Sequence, residues 1–244
     1  MNVGALFSGG KDSVFAVYWA IQQAWDVRCL VTLVSDNPES YMFHTPNVEL
    51  TRMQSKAIGI PQILHKTRGE KEKELEDLKA ALCKAKTEYN ITGLMVGAIA
   101  SDYQQERVNR ICEEIGLKTF APLWHKRQGL LLQEMIECGF EIIIQSIAAE
   151  GLDKRWLGRI IDQRCYSDLE RLHRRIDLHI AGEGGEFESF VLDGPIFRKR
   201  LAIVKSDMVM ESNCIGYLKI FEIQLLPKTG TKTGDTLFKS SKQP

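Results

Sequence analysis

The chain has 244 residues, of which 44% are apolar and 26% charged, and these values are ordinary for a globular protein. Its 32 basic and 32 acidic side chains cancel, so no long-range field gathers nucleic acid or an anionic membrane. It has no stretch of the roughly 20 apolar residues that span a membrane, and its first residues lack the basic segment of a signal peptide. We therefore expect a cytoplasmic protein that binds neither membrane nor nucleic acid.

Between residue 2 and about residue 147, short apolar runs alternate with longer amphipathic stretches. Six runs are predicted to be strands, the third and fifth only from their position: NVGALF, VRCLVTLV, QILH, GLMVGAI, TFAPL and FEIIIQSI. Three stretches among them are predicted to be helices: SVFAVYWAIQQAW, EKEKELEDLKAALCKAKTEY and SDYQQERVNRICEEIG. This alternation predicts an α/β fold whose parallel sheet is covered by helices on both sides, and such sheets bind ligands at the carboxyl ends of their strands.

The pattern changes after about residue 148. Two helical segments are followed by two runs that alternate as half-exposed strands do: DKRWLGRIID, CYSDLERLHRRI, RLAIVKSDMVMES and CIGYLKIFEIQLL. These segments predict a smaller C-terminal α+β domain packed on the first. We place the first domain at residues 1–122, the second at 123–226 and a polar, disordered tail at 227–244.

The stretch LFSGGKDSVF, residues 6–15, follows the first predicted strand and opens the first predicted helix. It lacks the GxxxxGK[ST] spacing of a Walker loop. Two adjacent glycines nevertheless let backbone N–H groups approach an anion closely, Lys11 supplies a positive charge, and the Asp12 carboxylate suits Mg²⁺. The alternative is a tight strand–helix turn capped by Ser or Asp. Because glycines, cation, carboxylate and both serines are all in place, we favour a phosphate-binding loop.

SGGKDS resembles the PP-loop of the ATP pyrophosphatase superfamily, whose members split ATP into AMP and pyrophosphate and adenylate a carbonyl or carboxylate oxygen. Four further stretches extend the resemblance to the diphthine–ammonia ligase, or diphthamide synthase, family: SYMFHTPN (40–47), GAIASDYQQERV (97–108), WLGRIID (156–162) and GEGGEFESFVLDGP (182–195). The chain is similar to the compact archaeal form, without the extra domains of eukaryotic relatives. The resemblance implies a Rossmann-like domain of the adenine nucleotide alpha hydrolase type.

The resemblance also implies the reaction, in which ammonia and ATP convert the carboxylate of diphthine into an amide through an acyl-adenylate, releasing AMP and pyrophosphate. Diphthine is a modified histidine on translation elongation factor 2, so that factor is the expected protein partner, and a homo-oligomer is left open. The expected cofactors are ATP and Mg²⁺. The family motif implies that the pyrophosphate part of ATP is held by Ser8, Gly9, Gly10, Asp12 and Ser13, with Lys11 assisting. The carboxylate chemistry of Asp12 makes it the expected metal ligand.

Several residues outside the glycine loop are further candidates. Ser101, Gln104 and Arg107 recur at three-residue steps, so they share a helical face that would meet phosphate or the adenylate. The alternative is a helix N-cap, a solvated amide and a surface arginine. His44 would touch the nucleotide or accept a proton from ammonium, although a lone loop histidine is commonly structural. Asp36, also beyond the second strand, is a candidate contact for ribose or adenine.

The block GEGGEFES supplies the candidate substrate-binding residues. Diphthine carries a quaternary ammonium group, and acidic side chains near an aromatic face such as Phe187 or Trp156 hold such cations. Glu186 and Glu188 would point the same way, and Phe187 the other, if the segment is extended. The alternative is a glycine turn with solvated glutamates. The candidates are Glu183, Gly184, Gly185, Glu186 and Glu188.

Other functions remain open at this stage. The chain would suit another PP-loop adenylating ligase or a tRNA-modifying enzyme, although six cysteines without a CxxC pair and a neutral charge argue against sulfur transfer to RNA. A non-catalytic sensor of ATP or AMP is the alternative from a different class. A sensor has no evident need for the acidic block at residues 183–188, so we favour the ligase.

Overall fold

The computed structural model describes residues 1–35, 47–69, 73–97 and 102–228, without the side chains of residues 102–104. The first sheet is wholly parallel, in the order β3-β2-β1-β4-β5, which confirms the predicted α/β architecture. QILH and TFAPL, predicted from position alone, supply its two edge strands. The five strands are β1 (Asn2–Leu6), β2 (Asp26–Ser35), β3 (Gln62–Thr67), β4 (Gly93–Met95) and β5 (Lys118–Phe120).

Four helices accompany this sheet. One of them, α2, was not predicted, because its short sequence TRMQSKAI is mostly polar; it ends at Gly59, whose φ of 83° is left-handed. The helices are α1 (Lys11–Gln22), α2 (Thr51–Ile58), α3 (Lys73–Tyr89) and α4 (Asp102–Glu114). On one side of the sheet, α3 and α4 bury a cluster that includes Leu78, Leu82 and Cys112.

The strand order places a ligand crevice at the end of β1. The chain runs outward from β1 through β2 to β3, and then returns to place β4 on the other side of β1. The connections after β1 and β4 therefore leave the sheet in opposite directions, and ligands bind at such a switch point. The glycine loop occupies the connection from β1 to α1, so the sequence places its phosphate-binding candidates at this crevice.

The second sheet is antiparallel, in the order β7-β6-β9-β8. FEIIIQSI, which we predicted as a sixth strand of the parallel sheet, instead forms β6 in this second sheet, and that prediction was wrong. The reason is that β6 lies between two strands and is buried on both faces, as parallel strands usually are. This part of the chain contains two helices and the four strands of the second sheet: α5 (Gln128–Glu137), β6 (Glu141–Ala148), α6 (Gln163–Ile176), β7 (Phe187–Asp193), β8 (Lys199–Met210) and β9 (Ile215–Pro227).

One continuous apolar core joins the two sheets. It runs from Val3 in β1 through Phe15 in α1 to Phe190 in β7. The rings of Phe15 and Phe140 meet edge-on at 5.6 Å, and Tyr18 meets Phe140 at 5.4 Å. Because α1 lies between the sheets, β7 runs beside the glycine loop that precedes this helix.

The C-terminal end of the described chain is a strand. The predicted domain boundary near residue 122 stays a prediction; β9 extends to Pro227, and residues 229–244 of the predicted tail lie outside the described residues. Among the described helices, none is long and apolar enough to cross a membrane.

Candidate active site

The glycine loop is a closed turn held together by its own serines. Gly9 has a φ of 81°, a left-handed conformation that glycine adopts without strain. The Ser8 hydroxyl donates to the Ser13 hydroxyl at 3.2 Å, and Ser13 donates to the Gly10 carbonyl at 3.0 Å. The loop therefore keeps its shape by internal hydrogen bonds, and its two serines, both predicted to bind phosphate, lie together at the start of α1.

Neighbouring elements fix the loop from outside. The Gly9 carbonyl accepts a hydrogen bond from Gln54 Nε2 at 2.9 Å and another from the Val191 amide at 3.1 Å. The Lys11 amide donates to the Ser189 hydroxyl at 3.1 Å. The loop is thus bound to α2 on one side and to β7 of the second sheet on the other, so both parts of the chain determine its position.

Lys11 is the central cation of the site. Its side chain is only 5% exposed, and Nζ lies 2.7 Å from Asp12 Oδ2. Burial alone would lower the pKa of Lys11, but Asp12, Glu183 and Glu188 outweigh it and raise that pKa above its usual value. The ammonium group therefore remains charged at the loop, where a phosphate would be bound.

The acidic block faces the loop across a cleft of about 360 Å³. Burial, followed by the nearby Asp12 charge, raises the pKa of Glu183 to about 7, although Lys11 opposes the shift. Desolvation within the cleft also raises the pKa of Glu188, although the residue as a whole is exposed. The wall is formed by Ser8, Gly10, Lys11, Asp12 and Ser13 on one side and by Gly182, Glu183, Gly184, Gly185, Phe187, Glu188 and Ser189 on the other.

Glu186 differs from its acidic neighbours. Its carboxylate accepts hydrogen bonds from the Gly184 amide at 2.9 Å and the His179 amide at 3.2 Å, so it braces the turn and does not line the cleft. The expectation that Glu186 and Glu188 point the same way assumed one extended segment, but β7 begins only at Phe187. Phe187 and Glu188 both line the cleft, contrary to the expected alternation.

The two aromatic candidates are separated. The Phe187 ring lies 5.9 Å from Lys11 Nζ and lines the cleft. Trp156 lies in a different groove, where the guanidinium of Arg159 stacks on its ring at 4.6 Å. Of these two rings, only Phe187 lies at the cleft between the loop and the acidic block, and the cation that faces its ring there is Lys11.

Because the pKa of Glu183 is raised, the free energy of unfolding should depend on pH. The ordinary pKa of a glutamate is 4.5, whereas that of Glu183 in the folded protein is about 7. Between these two pH values the folded protein keeps a proton that the unfolded chain releases, so the free energy of unfolding falls as pH rises. We expect Glu183→Gln, which removes this titration, to raise the free energy of unfolding by about 1–3 kcal/mol at pH 8 and by far less at pH 5.

Urea unfolding at both pH values measures this difference. The exposed Glu211, in the turn between β8 and β9, gives the matched control, and Glu211→Gln should leave the pH dependence of the wild-type protein unchanged. An equal effect of Glu183→Gln at pH 5 and pH 8 would contradict the assignment.

Of the remaining predicted residues, only the side chain of Arg107 is described. Asp36, His44 and Ser101 lie outside the described residues, and so does the side chain of Gln104. Arg107 is partly buried in α4, and it is not among the residues that line the described cleft. Their predicted roles stay predictions.

Sequence reasoning missed two residues that shape the loop. A Cβ at Gly97, just after β4, would lie 2.7 Å from the Ser13 amide nitrogen and 2.8 Å from the Asp12 carbonyl oxygen, so only glycine lets this segment pass the first turn of α1. Gly97 is the first residue of the stretch GAIASDYQQERV, and a glycine directly after a predicted strand could have indicated a close approach of two backbone segments. Gln54, fully buried against Gly9, had no signal, since a single glutamine on a polar helix is ordinary.

Asp12 has an oxygen suited to a metal ion at the loop. Asp12 Oδ1 is buried and accepts no hydrogen bond, while Oδ2 binds Lys11. A lone carboxylate oxygen beside a phosphate-binding loop fits Mg²⁺, which usually takes one or two protein carboxylates and completes its shell with phosphate oxygens and water. Within the described residues, no group of three His, Cys, Asp or Glu side chains could hold a metal by itself.

A glycine loop that leaves the central strand of a parallel sheet, opens a helix and presents a buried lysine defines an α/β protein with a candidate phosphate-binding loop at the switch point of its sheet. Two family models match this chain: the diphthamide synthase N-terminal domain at residues 1–119 and the diphthamide synthase C-terminal domain at residues 122–226. The chain belongs to the diphthamide synthase family.

Individual proteins agree with the family models. A Bos taurus protein named diphthine–ammonia ligase is 34% identical over 93% of this chain and 94% of its own length. A Schizosaccharomyces pombe protein of the same name is 31% identical over 90% of this chain but only 39% of its own. A solved chain described as a predicted subunit of tRNA methyltransferase from Methanocaldococcus jannaschii aligns with 80% of this chain and 98% of its own, at 15% identity and a TM-score of 0.41.

Proposed function

We propose that this chain joins ammonia to the carboxylate of diphthine on translation elongation factor 2, the last step of diphthamide biosynthesis, with ATP cleaved to AMP and pyrophosphate. The observation that carries the proposal is the cleft in which the Lys11–Asp12 pair of the glycine loop faces Glu183 and Glu188. One wall suits the phosphates of ATP and the other suits a cation. Relatives named diphthine–ammonia ligase support the choice of substrate.

The reaction needs activation because a carboxylate is a poor electrophile whose leaving group would be oxide. In the first step a carboxylate oxygen attacks the α-phosphorus of ATP, the bond from that phosphorus to the bridging oxygen breaks, and pyrophosphate leaves. In the second step ammonia attacks the carbonyl carbon, AMP leaves with the original carboxylate oxygen, and the nitrogen loses a proton. The product is the carboxamide.

The glycine loop would serve the first step. Its backbone N–H groups and the Ser8 and Ser13 hydroxyls would hold the pyrophosphate portion, with Gly9 and Gly10 allowing close approach. Lys11, fixed by its pair with Asp12, would neutralise the charge that develops as pyrophosphate departs. Mg²⁺ held at the free oxygen of Asp12 would add positive charge to the same phosphates.

The acidic wall would serve the protein substrate. Glu183 and Glu188 lie opposite the loop, so their carboxylates suit the quaternary ammonium group of diphthine. Phe187 is buried behind them, with its ring 5.9 Å from Lys11 Nζ. Gly184 and Gly185 would let the substrate approach the backbone. Glu186, which braces the turn, would act on the substrate only indirectly.

Residues outside the described cleft complete the proposal. Arg107 of α4 would meet the phosphates or the adenylate, together with Ser101 and Gln104. His44 would contact the nucleotide or accept the proton from ammonium, and Asp36 would contact ribose or adenine. The reaction would take place in the cytoplasm, where the elongation factor works.

The test is a complete reaction with ATP, Mg²⁺, an ammonium salt and diphthine-bearing elongation factor 2. We expect AMP to form together with a mass loss of about 1 Da on the factor, as hydroxyl is replaced by an amino group. AMP without a mass change would mean that the chain adenylates a different substrate, as in another PP-loop reaction. ATP binding without any product would favour a sensor.

A further inference from the structure

A buried glutamine interrupts the apolar run of β6. Gln145 is 0% exposed and lies where the register of β6 on β7 shifts: Ile144 pairs with Ser189, whereas Ser146 pairs with Glu188. Gln145 is therefore the extra residue of a β-bulge. Bulges redirect a side chain and are frequent next to active sites.

The bulge directs the Gln145 amide at two partners. Its Nε2 donates to the Ser189 carbonyl at 3.1 Å, and its Oε1 accepts from Asn47 Nδ2 at 3.1 Å. The hydroxyl of the same Ser189 accepts the amide of Lys11, the first residue of α1. Hydrogen bonds thus run from Asn47 through Gln145 and Ser189 to the glycine loop.

The outer end of this chain of bonds is anchored to the second sheet. Besides its bond to Gln145, Asn47 donates from Nδ2 to the Leu218 carbonyl at 2.9 Å and accepts the Ile220 amide at Oδ1 at 3.1 Å. Asn47 has a φ of 60°, a left-handed conformation in which asparagine is enriched. Both polar atoms of its side chain are therefore committed to β6 and β9.

We propose that Gln145 is a positioning residue that sets the glycine loop for phosphate binding through Ser189, with Asn47 as its anchor. Gln145 is not among the residues that line the cleft, so it acts through its neighbours. Without the Gln145 amide, the Ser189 carbonyl would lose this side-chain donor, so this part of β7 would be free to shift and the Lys11 amide would shift with it. The proposal rests on the proposed function only in taking ATP as the ligand of the loop.

The test is the affinity for ATP with Mg²⁺, measured by calorimetry without the elongation factor. Gln145→Met, which keeps the length of the side chain but removes both hydrogen bonds, should weaken binding about tenfold, as expected for loss of one well-placed hydrogen bond. Ser189→Ala should also weaken binding. The double variant should be weaker by much less than the product of the two effects, because both substitutions break the same chain of bonds.

Ser55→Ala is the matched control. It removes a hydrogen bond to the Ile60 carbonyl at 2.7 Å from a buried side chain that does not contact the loop, so it should lower the melting temperature without changing ATP affinity. If Gln145→Met does not fold, Asn47→Gly tests the anchor without straining the backbone and should also weaken ATP binding. Unchanged affinity in the folded variants, or independent effects of Gln145→Met and Ser189→Ala, would overturn the proposal. A wild-type protein that binds no ATP would overturn the proposed function as well.

Discussion

Replacing Lys11 with methionine is expected to slow AMP formation by about 10²–10³-fold, the usual cost of removing a group that stabilises charge in the transition state. The buried ammonium group lies 2.7 Å from Asp12 and faces Glu183 and Glu188. Without it, the cleft would hold three carboxylates and no cation from the loop, and would repel the phosphates of ATP. The rate of AMP formation at saturating ATP measures the effect.

Lys79→Met provides the control for this substitution. Lys79 forms an ion pair of the same kind with Glu114, at 2.8 Å, on the surface between α3 and α4. Its loss removes one lysine–carboxylate pair without touching the cleft, so the rate should stay at the wild-type value. If Lys11→Met forms AMP at the wild-type rate, Lys11 does not stabilise the departing pyrophosphate.

Gly9→Ala is expected to lower the free energy of unfolding by about 3 kcal/mol and to weaken ATP binding by more than tenfold. Gly9 has a left-handed φ of 81°, and an added Cβ would lie 2.4 Å from Gln54 Oε1 and 2.9 Å from Thr51 Cγ2. Gln54 would have to withdraw, and its hydrogen bond to the Gly9 carbonyl would break. Urea unfolding and calorimetric titration with ATP measure the two losses.

Gly139→Ala separates backbone strain from steric conflict. Gly139 has nearly the same φ, 78°, but an added Cβ would meet nothing within 4 Å. This variant should lose only about 1 kcal/mol, the cost of a left-handed alanine, and should bind ATP as the wild type does. If the two glycine variants lose ATP affinity equally, the contact with Gln54 does not determine the shape of the loop.

The sequence predicted those features that depend on neighbouring residues in the chain. SGGKDS contains its glycines, cation and carboxylate in six consecutive positions, so the type of loop and its place after β1 could be inferred without knowledge of the fold. QILH and TFAPL were assigned from their position between predicted helices, and both contribute strands to the parallel sheet. In these cases the order of residues and elements along the chain was sufficient for the prediction.

Features that depend on tertiary packing were missed or assigned wrongly. β6 was assigned to the wrong sheet because a strand buried on both faces has the same composition in either kind of sheet. Glu186 was grouped with Glu188, since no pattern marks where a turn ends and β7 begins. Gln54 and Gln145 lie far from the loop in sequence, and only the folded chain brings their amides to Gly9 and Ser189.

The measurement that most directly tests the central claim is exchange of labelled pyrophosphate into ATP in the presence of Mg²⁺ and without ammonium. An acyl-adenylate formed in the cleft can react backwards with pyrophosphate, so the account predicts label in ATP only when diphthine-bearing elongation factor 2 is present. It also predicts that Lys11→Met slows the exchange by about 10²–10³-fold. Formation of ADP and orthophosphate, with no label entering ATP, would contradict adenylation at this site.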